Sequence, residues 1–421
     1  MVISETRVPG QLTEAELRGF FERFKASVPL AGRRVLVVIP DHTRSGPTGT
    51  WFRVIADGLA GVARQVDFLI ALGTHPPMAE ERIDRLLGLD ARTRAERYAD
   101  VRVFNHDWRN PAALVQVGTL SRARVAELSR GMLELEVPVR VNRLVLDYDH
   151  VIICGPVFPH EVVGFSGGHK YFFPGISAPE VIDFTHWLGA LLTNPAVNGN
   201  RDTPVREAIE AAADFVPTER SLIAYVVEHE AVAGVFGGPV RQAWPAAVEL
   251  SARLHIRTVD RPFHTVLSCA PEMYDDIWTA GKCMYKLEPA VADGGTLIIY
   301  APHIDEVSYA HGQVLDEIGY HTRDYFLRQW DRFRDRPWGV VAHSTHVRGI
   351  GTYENGVERP RVQVVLATGI PEERCRRINL GYADPAGIDP ADYAGREDQG
   401  VLMVPRAGET LYRLADMSRF A

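Results

Sequence analysis

Apolar and polar positions follow one another along the chain as short apolar runs separated by longer amphipathic stretches. The run RRVLVVIPD (33–41) predicts a buried strand, GTWFRVIADGLAGVARQ (49–65) a helix, and VDFLIALGTH (66–75) the next strand. NRLVLDYDHVIICGP (142–156) adds one or two further strands. Strands that alternate with helices in this way predict a parallel sheet with helices on both faces.

The same alternation begins again near residue 264. HTVLSCAP (264–271) predicts a strand, DDIWTAGKCMYKLEPAVAD (275–293) a helix, and GGTLIIYAPH (294–303) the returning strand. WGVVAHST (338–345) and RVQVVLATG (361–369) are expected to continue this second sheet as strands.

VRQAWPAAVELSARLHIRTVDR (240–261) predicts a helix that connects the two halves, whereas the C-terminal GETLYRLADMSRFA fits either a strand with a tail or a packed helix. We therefore predict an α/β fold of two α/β domains with mostly parallel sheets, comprising residues 1–260 and 261–421. The active site is expected in the cleft between the two domains.

Composition narrows the classes of function. A chain of 421 residues with 46% hydrophobic and 24% charged residues is typical of a globular protein with more than one core. The net charge of −8 gives no electrostatic reason to expect a nucleic-acid partner. No uncharged apolar stretch reaches roughly 18 residues, no secretory signal is visible, and the four cysteines form no CxxC pair. We expect a cytoplasmic protein without a membrane span.

Polar clusters follow four of the predicted strands. They are DHTRSGPT (41–48), GTHPP (73–77), PHEVVGFSGGHK (159–170) and PHIDEVSYAHG (302–312). In doubly wound sheets the carboxyl ends of the strands line the ligand crevice, so these clusters indicate an active site.

Each cluster also has a plainer interpretation. Asp41 and Thr43 could cap the next helix, or could join Arg44 in binding an anion. His75 could be structural, although its place at the end of a strand favours a role in chemistry. Lys170 is the last residue of the glycine-rich GFSGGHK (164–170), whose spacing matches neither a P-loop nor a dinucleotide fingerprint.

Three histidines lie close together in the sequence between residues 155 and 187. His160, His169 and His186 could bind zinc, but their spacing matches no HExxH helix. Ser177 and Glu180 predict a capping box at the start of a helix that carries His186. HSTH (343–346) could add metal ligands or could be a solvated loop.

The motifs DHTRSGPT, GTH, PHEVVGFSGGHKYFFPGIS and DFTHW together resemble the lactate racemase family, which uses a nickel-pincer nucleotide. The gaps of 10 and 16 residues between His160, Lys170 and His186 reproduce the spacing of that family. The resemblance covers both predicted domains. It implies that the N-terminal domain binds the cofactor and carries out the chemistry, and that the C-terminal domain completes the substrate site.

The resemblance also implies a cofactor and a set of site residues. The cofactor is the Ni(II) complex of pyridinium-3,5-bisthiocarboxylic acid mononucleotide, joined covalently to Lys170, with His186 as the protein ligand of nickel. His75 and His160 match the catalytic histidines. The remaining matches are to cofactor contacts at Asp41, His42, Thr43 and Arg44, and to substrate contacts at Arg44, Trp278, Thr279 and Lys282.

The implied reaction is the inversion of C2 in a 2-hydroxy acid by reversible hydride transfer, which makes the protein a racemase or epimerase. A hydride route suits histidines, because neutral imidazole is a poor base for a C–H bond beside a carboxylate. Thr279 stands where lactate-using members carry glutamine, so a substrate larger or more hydroxylated than lactate is expected.

Two other classes of function stay open from the sequence. One is a metal-dependent hydrolase or lyase built from the same histidines, and the other is a non-catalytic cofactor-binding protein. The expected partners are a small 2-hydroxy acid and the enzymes that mature the cofactor. The sequence does not decide whether His169 tunes the neighbouring Lys170, shields the cofactor or covers the surface.

Overall fold

The computed structural model describes residues 1–228 and 231–420. The strands, numbered along the chain, are β1 Ile3–Thr6, β2 Arg34–Ile39, β3 Gln65–Ile70, β4 Val103–Asn105, β5 Leu114–Leu120, β6 Val137–Asn142, β7 His150–Pro156, β8 Pro159–His160, β9 Gly164–Phe165, β10 Glu219–Glu228, β11 Ala231–Gly238, β12 Ile256–Val259, β13 Phe263–Cys269, β14 Val291–Ala301, β15 Gly351–Glu354, β16 Val357–Pro360, β17 Gln363–Thr368, β18 Gly381–Tyr382, β19 Val401–Val404 and β20 Leu411–Leu414.

The α-helices, numbered in the same way, are α1 Glu14–Ser27, α2 Thr48–Leu59, α3 Glu80–Leu87, α4 Ala91–Arg97, α5 Arg122–Leu128, α6 Leu144–Asp147, α7 Pro179–Leu192, α8 Asn194–Val197, α9 Pro204–Ala213, α10 Val240–His255, α11 Ile277–Ala280, α12 Lys282–Tyr285, α13 Gly312–Ile318, α14 Arg323–Arg328, α15 Trp330–Phe333, α16 Trp338–Arg348 and α17 Glu372–Arg377. Short 3₁₀ helices lie between them, among them Gly168–Tyr171. None of the described helices is long and apolar enough to cross a bilayer.

The chain divides into two compact units. Unit 1 comprises Met1–Phe158, Ser166–Ile182 and Arg206–Arg253. Its sheet has the order β1-β11-β10-β7-β2-β3-β4, in which β10, β7, β2, β3 and β4 run parallel and β1 and β11 form an antiparallel edge. Strands β2 and β7 are buried along nearly their whole length, as expected for a parallel sheet covered by helices.

Unit 2 comprises Pro159–Phe165, Asp183–Val205 and Leu254–Ala421. Its main sheet has the order β18-β17-β14-β13-β19 and is parallel throughout. The predicted α/β class with mostly parallel sheets is confirmed. The two units interleave along the chain, and the predicted division into domains 1–260 and 261–421 stays a prediction.

Large aromatic side chains fill the core of unit 1. Phe20 and Phe24 of helix α1 and Trp51 of α2 are almost fully buried, and Trp51 stacks on Tyr225 of β10 with ring centroids 5.8 Å apart. Helix α1 begins at a capping box in which Thr13 and Glu16 bond to each other's backbone amides. The core thus fixes α1 and α2 against the sheet that carries the predicted site.

Several expected elements are confirmed and others are wrong. Helix α7 begins at Pro179 as predicted, but Glu180 forms an ion pair with Arg140 and not a capping box with Ser177. Residues 144–147, expected as strand, form a helical turn, and the helix predicted over 275–293 is broken into short turns before β14. Short segments of this kind lack a clear period, which weakens any assignment from sequence.

The segment WGVVAHST was expected as a strand and is wrong, since it lies in helix α16. Every residue from Gly339 to Arg348 is buried, so this helix shows no polar face from which a helical period could be recognised. The interpretation of HSTH as a solvated loop is also wrong, because His343 and His346 are 7% and 3% exposed.

Candidate functional site

The predicted site residues of unit 1 lie at the carboxyl ends of adjacent parallel strands. Strand β2 pairs with β3 on one side and with β7 on the other. Asp41 follows β2, and His75 follows β3. Because the carboxyl ends of parallel strands meet at one edge of a sheet, loops that are distant in the sequence come together there.

Asp41 organises the loop after β2. It is 4% exposed, and its Oδ1 accepts hydrogen bonds from the Thr43 amide at 3.1 Å and the Thr43 hydroxyl at 2.7 Å. Its Oδ2 is hydrogen bonded to Nδ1 of His75. The expectation that Asp41 caps the next helix is wrong, because the residue at the N-cap of α2 is Pro47.

The charge of Asp41 is stabilised from several sides. Burial alone would raise its pKa, but His75, Arg44 and the Thr43 hydroxyl together hold the pKa of this carboxyl well below its usual range. A buried carboxylate that stays ionised is a strong acceptor, so it requires a proton on Nδ1 of His75. The geometry therefore assigns the Nδ1–H form to neutral His75 and leaves the Nε2 lone pair to accept a proton. The side chain is 21% exposed and thus reachable by a ligand.

Lys170 lies in the 3₁₀ turn Gly168–Tyr171, which two glycines make possible. Gly167 and Gly168 have φ values of 81° and 61°, in the left-handed region that disfavours other residues. The amide of Gly175 donates to the Lys170 carbonyl at 3.1 Å, and the amide of Gly73 donates to the Gly175 carbonyl at 2.9 Å. These bonds join the loop that carries His75 to the segment that carries Lys170.

Tyr171 and Arg44 belong to the same group. A Cβ atom at Gly155 would lie 1.8 Å from the Tyr171 hydroxyl, so glycine is required where β7 meets this ring. Burial raises the pKa of Tyr171, while Arg44 acts in the opposite direction and Asp41 in the same direction. Arg44 therefore acts electrostatically on both Asp41 and Tyr171, and His42 lies half-buried in the same loop.

His160 lies in unit 2, on the two-residue strand β8. It is 9% exposed, and its Nδ1 accepts a hydrogen bond from the Val162 amide at 3.2 Å. The Val162 amide by itself favours the form of neutral His160 that carries its proton on Nε2. The Glu161 carboxylate lies 3.2 Å from the same Nδ1 and would stabilise a positively charged ring.

A buried lysine supports the strand that carries His160. Lys286 is 2% exposed, and its ammonium donates to the carbonyl of Pro159, the residue before His160. One helical turn earlier, the ammonium of Lys282 lies 4.6 Å from the centroid of the Tyr274 ring. The sequence argument identified Lys282 and missed Lys286, although the two stand four residues apart.

Trp278 and Thr279 lie on the short helix α11. Its N-cap, Asp276, accepts a hydrogen bond from the Thr279 amide at 3.0 Å. The Trp278 ring lies against two imidazoles, with centroids 4.4 Å from His311 and 4.2 Å from His343. His311 was not predicted as a site residue and His343 was considered only as a possible metal ligand, so their place beside Trp278 is revealed by long-range packing alone.

His186 lies half-buried on α7 within unit 2. Burial holds the pKa of His343 well below its usual range, and the neighbouring His346, His311 and His186 act in the same direction. His186 thus acts electrostatically on His343, one of the two imidazoles that lie against the Trp278 ring. The predicted site residues thus form two sets. Unit 1 holds Asp41, His42, Thr43, Arg44, His75 and Lys170, and unit 2 holds His160, His186, Trp278, Thr279 and Lys282.

The side chains that the structure describes do not by themselves form a chelating metal site. Within residues 1–228 and 231–420, no three His, Cys, Asp or Glu side chains are grouped so that they could hold an ion. His169, one of the three histidines considered for zinc, is hydrogen bonded to Glu210 and Arg220. A zinc centre with three protein ligands therefore finds no support in the described part of the chain.

Comparisons with known proteins point to one family. A family model described as the lactate racemase N-terminal domain matches residues 22–198. The lactate racemase of Thermoanaerobacterium thermosaccharolyticum is 25% identical over 280 residues, and that of Lactiplantibacillus plantarum is 23% identical over 272 residues. These alignments cover 65% and 63% of this chain and 61% and 59% of the relatives. The chain thus spans about three fifths of the length of the lactate racemases that it matches.

Two solved structures are similar along almost the whole chain. A crystal structure of a protein from Thermotoga maritima has a TM-score of 0.88 and 35% identity, and covers 96% of this chain and 99% of that one. The lactate racemase apoprotein of T. thermosaccharolyticum has a TM-score of 0.71 and 19% identity, covering 98% of this chain and 94% of that one. The second similarity shows a shared fold.

Replacing Asp41 with Asn tests the buried charge. Because the pKa of Asp41 is lowered in the folded state, its ionised form adds stability above the unfolded pKa of about 3.9, and this stability is lost as the pH falls further. We expect Asp41→Asn to lose about 1–3 kcal/mol between about pH 8 and 5, with the difference from the parent narrowing below about pH 4.

Urea unfolding midpoints measured from pH 8 to pH 3 provide the test. Asp100→Asn, at an exposed carboxylate of the same unit, is the matched control and should follow the parent at every pH. A loss of stability in Asp41→Asn that stays constant down to pH 3 would contradict the assigned charge.

Proposed function

The chain belongs to the lactate racemase family, and we propose that it is an isomerase that inverts C2 of a 2-hydroxy acid. The observation that carries this proposal is the buried Asp41–His75 pair, whose loop is hydrogen bonded to the segment of Lys170. A histidine oriented by a carboxylate is suited to general acid–base work, and an amine on a segment joined to the same loop is suited to holding a cofactor.

The proposed cofactor is the nickel-pincer nucleotide, joined to Lys170 and bound through nickel to His186. The residues fit such a group. Lys170 is half-buried on a turn whose glycines allow close approach, and imidazole is a suitable donor to nickel. The absence of a chelating group of protein side chains in the described ranges also fits an ion whose other donors belong to an organic ligand. When bound, this cofactor supplies a carbon that accepts the C2 hydride and returns it.

His75 and His160 are the proposed acid–base pair. The Nε2 of His75 would take the hydroxyl proton as C2 becomes planar, and a protonated His160 would return a proton to the oxygen when C2 becomes tetrahedral again with the opposite configuration. In the opposite direction the two histidines would exchange roles, with His160 taking the proton on Nε2 while its Nδ1–H faces Glu161. Each ring has a carboxylate at Nδ1, that of Asp41 for His75 and that of Glu161 for His160. This carboxylate would stabilise the positive charge that the ring carries when it acts as the general acid.

The substrate carboxylate is proposed to bind Arg44 and Lys282. Arg44 can make two parallel hydrogen bonds to a carboxylate, whereas Lys282 offers a compact positive charge. Trp278 and Thr279 would contact the remainder of the substrate.

The maturation enzymes of the cofactor are the proposed protein partners. No specific observation favours the hydrolase, lyase or pure binding alternatives.

The substrate is proposed to be larger or more hydroxylated than lactate. Thr279 is 6% exposed and presents a short hydroxyl on the same turn as Trp278. Of the polar residues in the loop 302–312, Glu306 forms an ion pair with Arg374 at 2.7 Å, whereas Tyr309 is 63% exposed. The support for this class of substrate therefore rests on Thr279 and its neighbours on α11.

Intact mass and nickel content test the cofactor directly. After expression together with maturation enzymes, we expect the parent to gain the mass of the cofactor and about one nickel per chain. Lys170→Ala should show no added mass, because the bond is made by its amine. His186→Ala should keep the added mass and lose nickel preferentially. A parent chain that gains neither mass nor nickel would refute the proposed cofactor.

Removal of either proposed catalytic histidine tests the acid–base pair. His75→Ala and His160→Ala should keep the mass adduct and lose about 10²–10⁴-fold in turnover in both directions, because each direction uses both rings. Turnover followed by the rate of optical inversion provides the measurement. His264→Ala, at an exposed histidine of unit 2, is the control. Near-parental turnover in either site variant would remove that residue from the mechanism.

A substrate screen tests the proposed class. We expect kcat/KM for an aldonic acid to exceed that for lactate by about tenfold or more, the effect of roughly 1.4 kcal/mol in transition-state binding. Thr279→Gln should shift the ratio toward lactate, because it restores the amide that lactate-using members of the family carry at this position. Preference for lactate over aldonic, aromatic and dicarboxylic 2-hydroxy acids would overturn the proposed class while leaving the reaction type intact.

A further inference from the structure

His169, the residue directly before Lys170, faces the interior of unit 1. It is 2% exposed, and both of its ring nitrogens have partners. Nδ1 lies 2.7 Å from Oε2 of Glu210, and Nε2 accepts a hydrogen bond from Nε of Arg220 at 2.9 Å. Of the roles that the sequence left open for His169, surface cover is therefore wrong.

The two partners fix the protonation of the ring. Arginine can only donate, so Nε2 must offer its lone pair, and the proton must lie on Nδ1, where it is donated to Glu210. Burial holds the pKa of His169 below its usual value. Burial would raise the pKa of Glu210, but the bond from His169 and the guanidinium groups of Arg206 and Arg241 lower it to about 2. The pair is thus a neutral imidazole and a carboxylate.

The partners of His169 are themselves held by neighbouring elements. Glu210 lies on α9 and accepts a hydrogen bond from Arg241 of α10 at 2.9 Å. Arg220 is the second residue of strand β10, which pairs with β7. Its guanidinium also donates to backbone carbonyls, those of Ala213 and Val216 at 2.8 Å and that of Thr218 at 3.2 Å. A side chain with this many fixed bonds cannot turn to follow the imidazole. His169 is thereby tied to two helices and a strand.

Because His169 is fixed in the interior, the geometry of the turn sets the direction in which the Lys170 side chain leaves the backbone. In a 3₁₀ helix with three residues per turn, successive side chains point about 120° apart. With His169 directed into the interior, Lys170 must leave the turn on another face, and it is half-buried there. The Trp244 indole also donates to the carbonyl of Ser166 at 2.8 Å, just before the glycines. The backbone on that side of the turn is therefore fixed as well.

We infer that His169 is a positioning residue: by filling the Glu210–Arg220 site with a neutral imidazole, it sets the direction in which the Lys170 amine is presented. The inference rests on the proposed function only for the use that is made of that amine. The geometry of the turn does not depend on any cofactor.

Trace acylation of the full-length apoprotein measures the presentation of Lys170. The chain has only four lysines, Lys25, Lys170, Lys282 and Lys286, so the modified peptides are easily distinguished. Lys25 forms an ion pair with Glu22 on α1 and serves as the internal reference. The quantity measured is the rate at which acetic anhydride modifies Lys170, divided by the rate for Lys25 in the same molecule.

We expect His169→Ala to raise this ratio by roughly threefold or more, the scale of a lost net hydrogen bond, because the turn loses its anchor. Glu210→Ala should act in the same direction. His169→Asn, whose amide can still donate to Glu210 from the Nδ1 position, should restore much of the parental ratio. Asp214→Asn breaks an ion pair of the same network with Arg241 but does not touch His169, and should match the parent.

A second readout is the yield of the Lys170 mass adduct after maturation, which should fall in His169→Ala and recover in His169→Asn. Thermal melting identifies any variant that fails to fold. If His169→Ala does not fold, Glu210→Ala and His169→Asn still test the inference. A parental labelling ratio in folded His169→Ala or Glu210→Ala would overturn the inference. A parent chain that never gains the adduct would refute the proposed cofactor and leave the labelling result standing.

Discussion

The parallel pairing of β7, β2 and β3 is the constraint from which the arrangement of unit 1 follows. Three neighbouring strands that run in one direction bring their outgoing loops to a single edge of the sheet. The sheet therefore brings Asp41 and His75 together, although they are 34 residues apart in the sequence. A carboxylate buried at such an edge needs compensation, which His75, Arg44 and Thr43 provide, so the fold and the charge pattern support each other.

The few lysines of the chain lie mostly at or beside positions where the proposed chemistry uses an amine. The chain has 46 Lys and Arg residues, of which four are lysines, so arginine supplies the other 42. Three of the four lysines, Lys170, Lys282 and Lys286, lie at or beside predicted site positions. A guanidinium is planar, bulky and always protonated, whereas an amine can be a nucleophile and fits a compact buried position. The ordinary tasks of surface charge are left to arginine.

The sequence was sufficient where the signal is local. Strands β2, β3, β7, β13, β14 and β17 and helix α7 lie where their apolar runs and flanking residues indicated. It was insufficient for α16, because a helix buried on every side has no polar face, and for the interleaving of the units, because no local pattern says which core a loop will join. The same contrast between local and long-range signals holds for the candidate site. The reactive residues lie in compact motifs, whereas their partners Glu210, Arg220 and Lys286 are separated from them by 40 or more residues.

The two proposed catalytic histidines reach a similar electrostatic state by different routes. His75 receives its carboxylate from Asp41 in the loop after the adjacent strand β2, so its orientation is tied to the sheet of unit 1. His160 has the carboxylate of its own neighbour, Glu161, and its orientation depends on the Val162 amide and on the ammonium of Lys286 holding the carbonyl of Pro159. The His160 pair is thus held by its own hairpin and by a buried lysine of unit 2, whereas the Asp41–His75 pair is held by neighbouring loops at one edge of the sheet of unit 1.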